Sequence, residues 1–254
     1  MLEALELTKR YPGVTAVDHV SFAMRPYEVL GYLGPNGSGK STTVHMLTGL
    51  VEPTSGQVLF HGRPIKDDLI GYKRRLGYVP EEPRLYPYLS GKEYLQLVAR
   101  LRQLPQRRAE EKIDEMLRLF SLRESRFSLI GSYSKGMRQK VLIAAALLHN
   151  PDVIIFDEPL SGLDVTTGLV FRSLVKRLSA QGKTILYSSH VLEVVEKVCS
   201  HALILRQGRA VAHDSVEHLR YLMSLPSLED IFSQLVVAED TEQIARGIAE
   251  AVSA

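Results

Sequence analysis

The stretch "GPNGSGKST", residues 34 to 42, follows the apolar run "VLGYL" and opens a segment with helical spacing. It fits G-x-x-x-x-G-K-[ST], and each residue type has a physical reason to be there. Gly34, Gly37 and Gly39 let the backbone curl so that successive N–H groups point inward, and the N-terminus of the following helix adds partial positive charge. Such a loop takes phosphate. Lys40 brings a full charge to β- and γ-phosphate oxygens, and the Ser41 hydroxyl is a ligand for Mg²⁺, with Thr42 beside it. The pattern therefore points to a nucleoside triphosphate, with Gly34, Asn36, Gly37, Ser38, Gly39, Lys40, Ser41 and Thr42 as the binding loop.

Two later stretches end strands on polar groups. "VIIFDEP" is four large apolar residues closing on Asp157 and Glu158, which puts carboxylates at the carboxyl edge of a buried strand, where open α/β folds bind ligands. Asp157 is suited to hold Mg²⁺ through its water shell. Successive strand residues point opposite ways, so Glu158 is free for another task, polarising an attacking water as general base. "KTILYSSH" closes on His190 just past a further strand. A lone histidine there would be a capping or surface residue. Beside the other two groups it is a candidate to donate to the γ-phosphate or to orient the water.

The elements that must hold these groups can be read from periodicity. "EALELTKRY", "HVSFAMRP", "EVLGYLG" and "GQVLFHGRPI" read as strands, some antiparallel, with "VLGYL" central. A helix from Ser41 would carry Val44, Leu47 and Val51 on one face. Between about 90 and 148 the pattern is helical, with Ile113, Met116, Leu117 and Phe120 forming one apolar stripe. The strands "DVIIFDEP" and "KTILYSSH" flank a helical stretch at 165 to 180, and this β-α-β alternation predicts parallel strands with covering helices. Ser227 with Asp230 fits a capping box opening "LEDIFSQLV", and Ile244, Ile248 and Val252 make a short stripe near the end. This last segment packs either on its own domain or on a second copy.

Composition narrows the class. A chain of 254 residues with 45% hydrophobic and 24% charged residues is globular, and a net charge of +2 gives no bulk drive toward nucleic acid. The single cysteine, Cys199, excludes an intramolecular disulfide and any multi-cysteine metal site, and its apolar surroundings mark it as a core thiol. No targeting segment is visible. The longest apolar run, "VLIAAALL", is under half of the ~20 residues that span a bilayer. A cytosolic location is expected, with docking to a membrane partner left open.

The phosphate loop, "SYSKGMRQK", "IIFDEP", "SGLD" and "SSH", in that order and spacing, resemble the ATPase subunit of an ABC transporter over residues 1 to about 210. "SLEDIF" and "YSKGMRQK" are similar to the subgroup that powers exporters of drugs, antibiotics, ions or polysaccharides. The resemblance implies a phosphate-loop (RecA-like) α/β core over 1–84 and 149–212 with an N-terminal antiparallel β-subdomain. It also implies an inserted α-helical subdomain over 85–148 and a C-terminal helical extension over 213–254. It implies ATP and Mg²⁺ as cofactors, Tyr11 stacking on adenine with Val17 beneath the ring, and Ser134 and Gly136 as the signature that closes a partner's ATP. Asp164 would belong to the loop joining the two ATP sites. Lys135 and Met137 depart from the general signature, "LSGGQ". The implied partners are a membrane-spanning permease and a second ATPase subunit, identical or not, arranged head to tail at the cytoplasmic face of the membrane.

In "LGYVPEEP" the family carries a glutamine that reaches Mg²⁺ and the attacking water, and here that position is Glu81, a stronger Mg²⁺ ligand than an amide. Glu82 is expected at the surface. Two rivals share the motifs: a soluble ABC-type ATPase acting on DNA or ribosomes, and an importer ATPase. The first usually has coiled coils or two ATPase halves, absent here, and the second a different tail. The basic clusters "YKRR" (72–75) and "RLRQLPQRR" (100–108) read as a solvated face of the helical insertion, or as a site for a transporter loop or anionic lipid. Nucleic acid is not expected as a partner.

Overall fold

The computed structural model describes residues 1–223, 225, 227–236, 246, 248 and 251. The first half of the chain gives β1 (Leu2–Tyr11), β2 (Val14–Met24), β3 (Val29–Leu33), α1 (Lys40–Leu47), β4 (Ser55–Phe60), β5 (Arg63–Pro64), α2 (Leu69–Arg75), β6 (Leu76–Val79), α3 (Gly91–Leu101) and α4 (Gln106–Leu119). The second half gives α5 (Lys135–Leu147), β7 (Val153–Asp157), α6 (Val165–Ala180), β8 (Thr184–Ser188), α7 (Leu192–Val198), β9 (His201–Arg206), β10 (Arg209–Ser215), α8 (Val216–Met223) and α9 (Leu228–Val236). One sheet has the order β2-β1-β4-β5 and its pairs are antiparallel; the other has the order β10-β9-β3-β8-β7-β6. In the second, only the β10 edge is antiparallel.

Strand alternation divides the interior between two cores. Every residue of β3, β7 and β8 is buried, as a parallel sheet covered on both faces requires. Leu30, Tyr32, Val153, Ile155 and Leu186 point to the face shared with α1 and the antiparallel sheet. Their neighbours Val29, Leu33, Ile154, Phe156, Ile185 and Tyr187 point to the face covered by Phe171 and Val175 of α6, Val194 and Val195 of α7, and Leu228 and Ile231 of α9. The same period of two carries on to the strand ends. Asp157 continues the series of Val153 and Ile155, and so faces α1.

A third core fills the helical insertion, where Leu95 of α3, Ile113 and Leu117 of α4 and Val141 of α5 are buried together. Met116 and Phe120 pack partly buried against the same cluster, so the expected stripe of α4 faces inward. Ser90 fixes the entry to α3 by a reciprocal cap: its N–H donates to Glu93 Oε2 (2.8 Å) and its Oγ accepts from the Glu93 N–H (3.3 Å).

Several expectations change in detail. α1 stops at Leu47 because Gly49 adopts φ +65°, a left-handed conformation that ends helices, so Val51 packs on the core from the following bend. "GQVLFHGRPI" is two strands with a turn at His61–Gly62 between them. "YKRR" belongs to α2, where Tyr72 is buried and donates its hydroxyl to Leu47 O (2.8 Å) and Arg75 pairs with Asp152 (2.6 Å). In "RLRQLPQRR", Arg102 is half-buried and donates to the Lys73 and Leu76 carbonyls. Arg102 braces the seam between α2, α3 and β6, and Arg75 ties the end of α2 to the residue before β7. β10 continues to Ser215, past residue 213 where the extension was expected to begin. Ser227 Oγ accepts from the Asp230 N–H (3.2 Å) at the start of α9. Ile244 and Val252 of the terminal stripe lie outside the described residues, and Ile248 is exposed. Cys199 is buried, which pushes its thiol far above the ordinary range. Among the described residues no helix is long and apolar enough to cross a membrane.

His149, just after α5, locks the insertion to the parallel sheet. Its Nε2 lies 3.0 Å from Leu76 O, and its Nδ1 is buried without a partner. Burial, with Arg102, Lys112 and Lys183 nearby, lowers its pKa to about 4. An unfolded histidine titrates near ~6.5, so between that pH and about 4 the unfolded chain binds a proton that the folded chain refuses. Folding stability should therefore be unaffected by this group above about pH 6.5 and fall as the pH drops below it. Thermal unfolding at pH 7.5 and pH 5 checks this: His149→Gln should lose less of its Tm on acidification than the parent. An equal loss in both would remove His149 as a source of the acid sensitivity.

Candidate active site

β3 delivers the phosphate loop. The chain leaves β3 at Gly34 and turns back at Gly39, which has φ +102° and caps α1 with no side-chain acceptor. A Cβ at Gly39 would lie 2.3 Å from Ala16 O, so only glycine brings the backbone this close to β2. The first amides of α1 are left without side-chain partners at the loop mouth, an arrangement suited to an anion. Lys40 folds over the loop, its Nζ donating to Gly34 O (2.6 Å) and Pro35 O (3.1 Å). Burial pulls the Lys40 ammonium below the ordinary lysine range, opposed by the carboxylates of Glu158, Asp157 and Glu81.

β7 and β8 deliver the other polar groups in register. Asp157 pairs with Ser188 across the parallel ladder, and the next amide, Glu158 N–H, donates to Ser188 O (3.0 Å). Asp157 is nearly buried, and desolvation raises its pKa, with the charges of Glu81 and Glu158 acting in the same direction. Glu158 has φ +47°, a left-handed backbone that a non-glycine residue keeps only when its surroundings hold it there. Those surroundings are visible. Glu158 Oε1 accepts from the His190 N–H (2.7 Å) and lies 2.7 Å from His190 Nδ1, and Oε2 accepts from Ser189 Oγ (3.1 Å). A proton on Nδ1 makes this contact a hydrogen bond to the carboxylate, and Nε2 is then a donor only in the doubly protonated ring. The Glu158 side chain is 12% exposed and the His190 side chain 72%. The carboxylate is thus a fixed group at the cleft floor, and the imidazole its accessible partner.

These elements enclose a cleft of about 920 Å³. Of the expected site residues, Tyr11, Gly34, Asn36, Gly37, Gly39, Lys40, Ser41, Thr42, Glu81, Asp157, Glu158 and His190 line it. Val17 does not. It is fully buried beneath Gly39, and Val14, Thr15 and Ala16 are the residues of that strand that reach the cleft. A side chain with no exposed surface is not available to an adenine ring. Ser38 is also turned inward, its Oγ buried without a partner.

Ser134, Gly136 and Asp164 lie outside the cleft. Ser134 is exposed and caps α5, accepting from the Met137 N–H (3.2 Å). Asp164 caps α6 by accepting from the N–H (2.8 Å) and Oγ1 (2.6 Å) of Thr167, bonds that hold its carboxyl below the usual range. Asp164 ends the loop that follows Glu158, and α5, capped by Ser134, is bonded to the same loop. Lys135 Nζ donates to Ser161 Oγ (2.7 Å), and the fully buried Gln139 donates to Pro159 O (3.1 Å).

The comparisons with known proteins decide the family. A family model described as "ABC transporter" matches residues 17–161. The chain is 36% identical over 225 residues to the ABC transporter ATP-binding protein NatA of Bacillus subtilis (strain 168), spanning 88% of this chain and 92% of that protein. The chain belongs to the ABC transporter family. It is also 35% identical over 221 residues to the bacitracin transport ATP-binding protein BcrA of Bacillus licheniformis, spanning 87% of this chain and 71% of that one. Among solved structures it is similar to the ATP-binding cassette MJ0796, a dimer in a post-hydrolysis state bound to ADP and Pi. The TM-score is 0.79 at 26% identity, over 85% of this chain and 98% of that one. As the ATP-binding subunit of an ABC transporter, the chain binds and hydrolyses ATP, and the cleft is the one place among the described residues where phosphate loop, buried carboxylates and histidine converge.

The residues fit magnesium as well. Ser41, Asp157 and Glu81 offer only oxygen donors at the cleft. Among the described residues no three His, Cys, Asp or Glu side chains gather to hold a metal by themselves. Oxygen donors of this kind fit an ion that takes one or two protein oxygens and completes its shell with phosphate and water. Ser189, Gln207, Leu192 and Phe232 also line the cleft, and the motifs gave no role to them. "SSH" held a local hint for Ser189, and Leu192 follows it by three residues; Gln207 and Phe232 arrive through tertiary packing.

Proposed function

We propose that this chain is the ATPase subunit of a membrane exporter, that two ATPase subunits close head to tail around two ATP molecules, and that Glu158 is the general base. The observation that carries this reading is the hold on Glu158: a left-handed backbone, a mostly buried carboxylate and three donors from Ser189 and His190. Lys40 and the first amides of α1 bind the β- and γ-phosphates, with Tyr11 as the platform for adenine. Ser41, Asp157 and Glu81 would hold Mg²⁺, which would supply positive charge against the phosphates. Glu158 takes a proton from water, the water oxygen bonds to the γ-phosphorus, and the bond to the bridging oxygen breaks with its electron pair leaving on ADP. His190 keeps the carboxylate aimed, and in the doubly protonated ring its Nε2–H donates to the transferred phosphoryl group while Nδ1–H stays on Glu158.

Ser134 and Gly136 of one subunit then meet the γ-phosphate in the other, and Asp164 lies in the loop between the two sites. The separation of Ser134 from the cleft within one chain supports that arrangement, as does the dimeric state of the MJ0796 cassette. The direction of transport rests on the exporter-like "YSKGM" and "SLEDIF" and on the name of BcrA, which assigns that relative to bacitracin transport. A permease supplies the membrane passage, and the ATPase subunits work at its cytoplasmic face. The engagement of Arg75 and Arg102 within the fold weighs against a nucleic-acid role for the two basic clusters.

Glu158→Gln should lower ATP turnover to about 1% or less while ATP affinity stays within about twofold, the pattern of a lost general base. Phosphate release and nucleotide titration on the same preparation check it, and turnover near the parent value would refute the assignment. Glu81→Gln should retain ATP binding but move the midpoint of the Mg²⁺ titration of turnover to higher concentration by about threefold or more, because an amide is the weaker ligand. A superimposable titration curve would return Glu81 to a solvated loop, alongside Glu82, which pairs with Arg84 (3.0 Å).

A further inference from the structure

α9 reaches the cleft at Phe232 and is bonded through Leu235 to Arg206, the neighbour of the cleft residue Gln207. Leu228 and Ile231 are fully buried in the core that covers the parallel sheet, and α9 packs on both α7 and α8. The residue after Ile231, Phe232, is partly buried and lines the ATP cleft together with Leu192, the first residue of α7. Leu192 stands two positions after His190.

The segment carrying His190 has little support of its own. α7 has seven residues and its N-cap, Val191, offers no side-chain cap; Ser189 Oγ accepts the Val191 N–H (3.1 Å). A helix this short is marginal in isolation, so its place depends on what it packs against. Glu158 holds His190 from the sheet side. α9 covers α7 from the other.

The far end of α9 is tied to the phosphate loop. Leu235 O accepts from Arg206 Nη1 (3.1 Å). Arg206 ends β9, and the turn that follows puts Gln207 in the cleft. The Gly208 N–H donates to Ser38 O (3.0 Å), and the Asp18 N–H donates to Gly208 O (2.8 Å). A single helix therefore braces the segment after His190 through Phe232 and the turn behind the phosphate loop through Leu235.

We propose that α9 is a positioning element of the ATPase site, with Phe232 as the apolar wall that fixes the His190 segment and the Arg206–Leu235 bond as the tie that fixes the phosphate loop. The proposal rests on the ATPase reading above, and the two ends make different demands. Loss of the Phe232 wall acts on the hydrolytic step; loss of the Arg206 tie acts on nucleotide binding.

The test is steady-state ATP hydrolysis and ATP titration on the full chain, normalised to the fraction that binds nucleotide. Phe232→Ala should lower kcat about fivefold to twentyfold with ATP affinity within about twofold, and Phe232→Leu should restore at least half of the parent kcat where the polar Phe232→Gln does not. Arg206→Met should raise KM for ATP about threefold or more and leave kcat within about twofold, which keeps the proposal testable if Phe232→Ala fails to fold. A Phe232→Ala kcat within about twofold of the parent, equal behaviour of the Leu and Gln variants, or an unchanged KM in Arg206→Met would each overturn it. Parent turnover no higher than that of Glu158→Gln would instead count against the ATPase reading itself.

Discussion

Everything chemical in this chain depends on the ends of one parallel sheet. β3, β7 and β8 run the same way and stop at the same edge, so the phosphate loop, Asp157 and the Ser188–His190 turn come together without any long loop to carry them. Alternation then sorts the groups. Asp157 faces α1 and its Ser41, and Glu158, one residue on, breaks into a left-handed turn that swings its carboxylate to Ser189 and His190. The register pair Asp157–Ser188 decides both placements, because the Glu158 amide is tied to the carbonyl of the same Ser188. A slip of one residue between β7 and β8 would exchange the two carboxylates between faces.

The second constraint is what the cleft lacks within one chain. The end of the helical insertion presents Ser134 at the cap of α5, exposed and outside the cleft. Yet α5 is bound to the loop after Glu158 by Gln139, buried against Pro159 O, and by Lys135, which reaches Ser161. Lys135 stands where the family signature has a glycine, so this strut is a feature of the present sequence. Under the proposed head-to-tail arrangement, the two ties make the signature and the loop after Glu158 one mechanical unit. Closing a partner's ATP with Ser134 would then load the segment that holds this chain's own base.

The sequence disclosed the parts whose signal is local. A glycine-rich loop between an apolar strand and a helix, strands that end in "DE" and "SSH", and the inward stripe of α4 can all be read over a dozen residues, and the fold follows from their alternation. What it concealed is set by distance in the chain. The family resemblance places Val17 beneath adenine, whereas the close approach of Gly39 to Ala16 O seals its side chain inside. The helix after the phosphate loop looked longer because Val51 continues its apolar spacing, but Gly49 ends it first. The basic clusters are solvated at Arg74, Arg75, Arg100, Arg107 and Arg108, and the exception is Arg102, which braces two carbonyls across 26 and 29 residues that no count of charge reveals. Gln207 and Phe232 reach the cleft from far along the chain through packing that no short window contains.

The central claim is that one chain carries a cleft able to bind ATP while turnover needs Ser134 from a second subunit. Sedimentation of the full chain bearing Glu158→Gln, with and without ATP and Mg²⁺, tests it most directly. Adding Ser134→Arg to that background supplies the decisive comparison, since it changes a residue outside the cleft of its own chain. The account predicts a nucleotide-dependent dimer for Glu158→Gln and a monomer that still binds ATP for the double variant. A Glu158→Gln chain that stays monomeric at saturating ATP, or a dimer indifferent to Ser134→Arg, would contradict it.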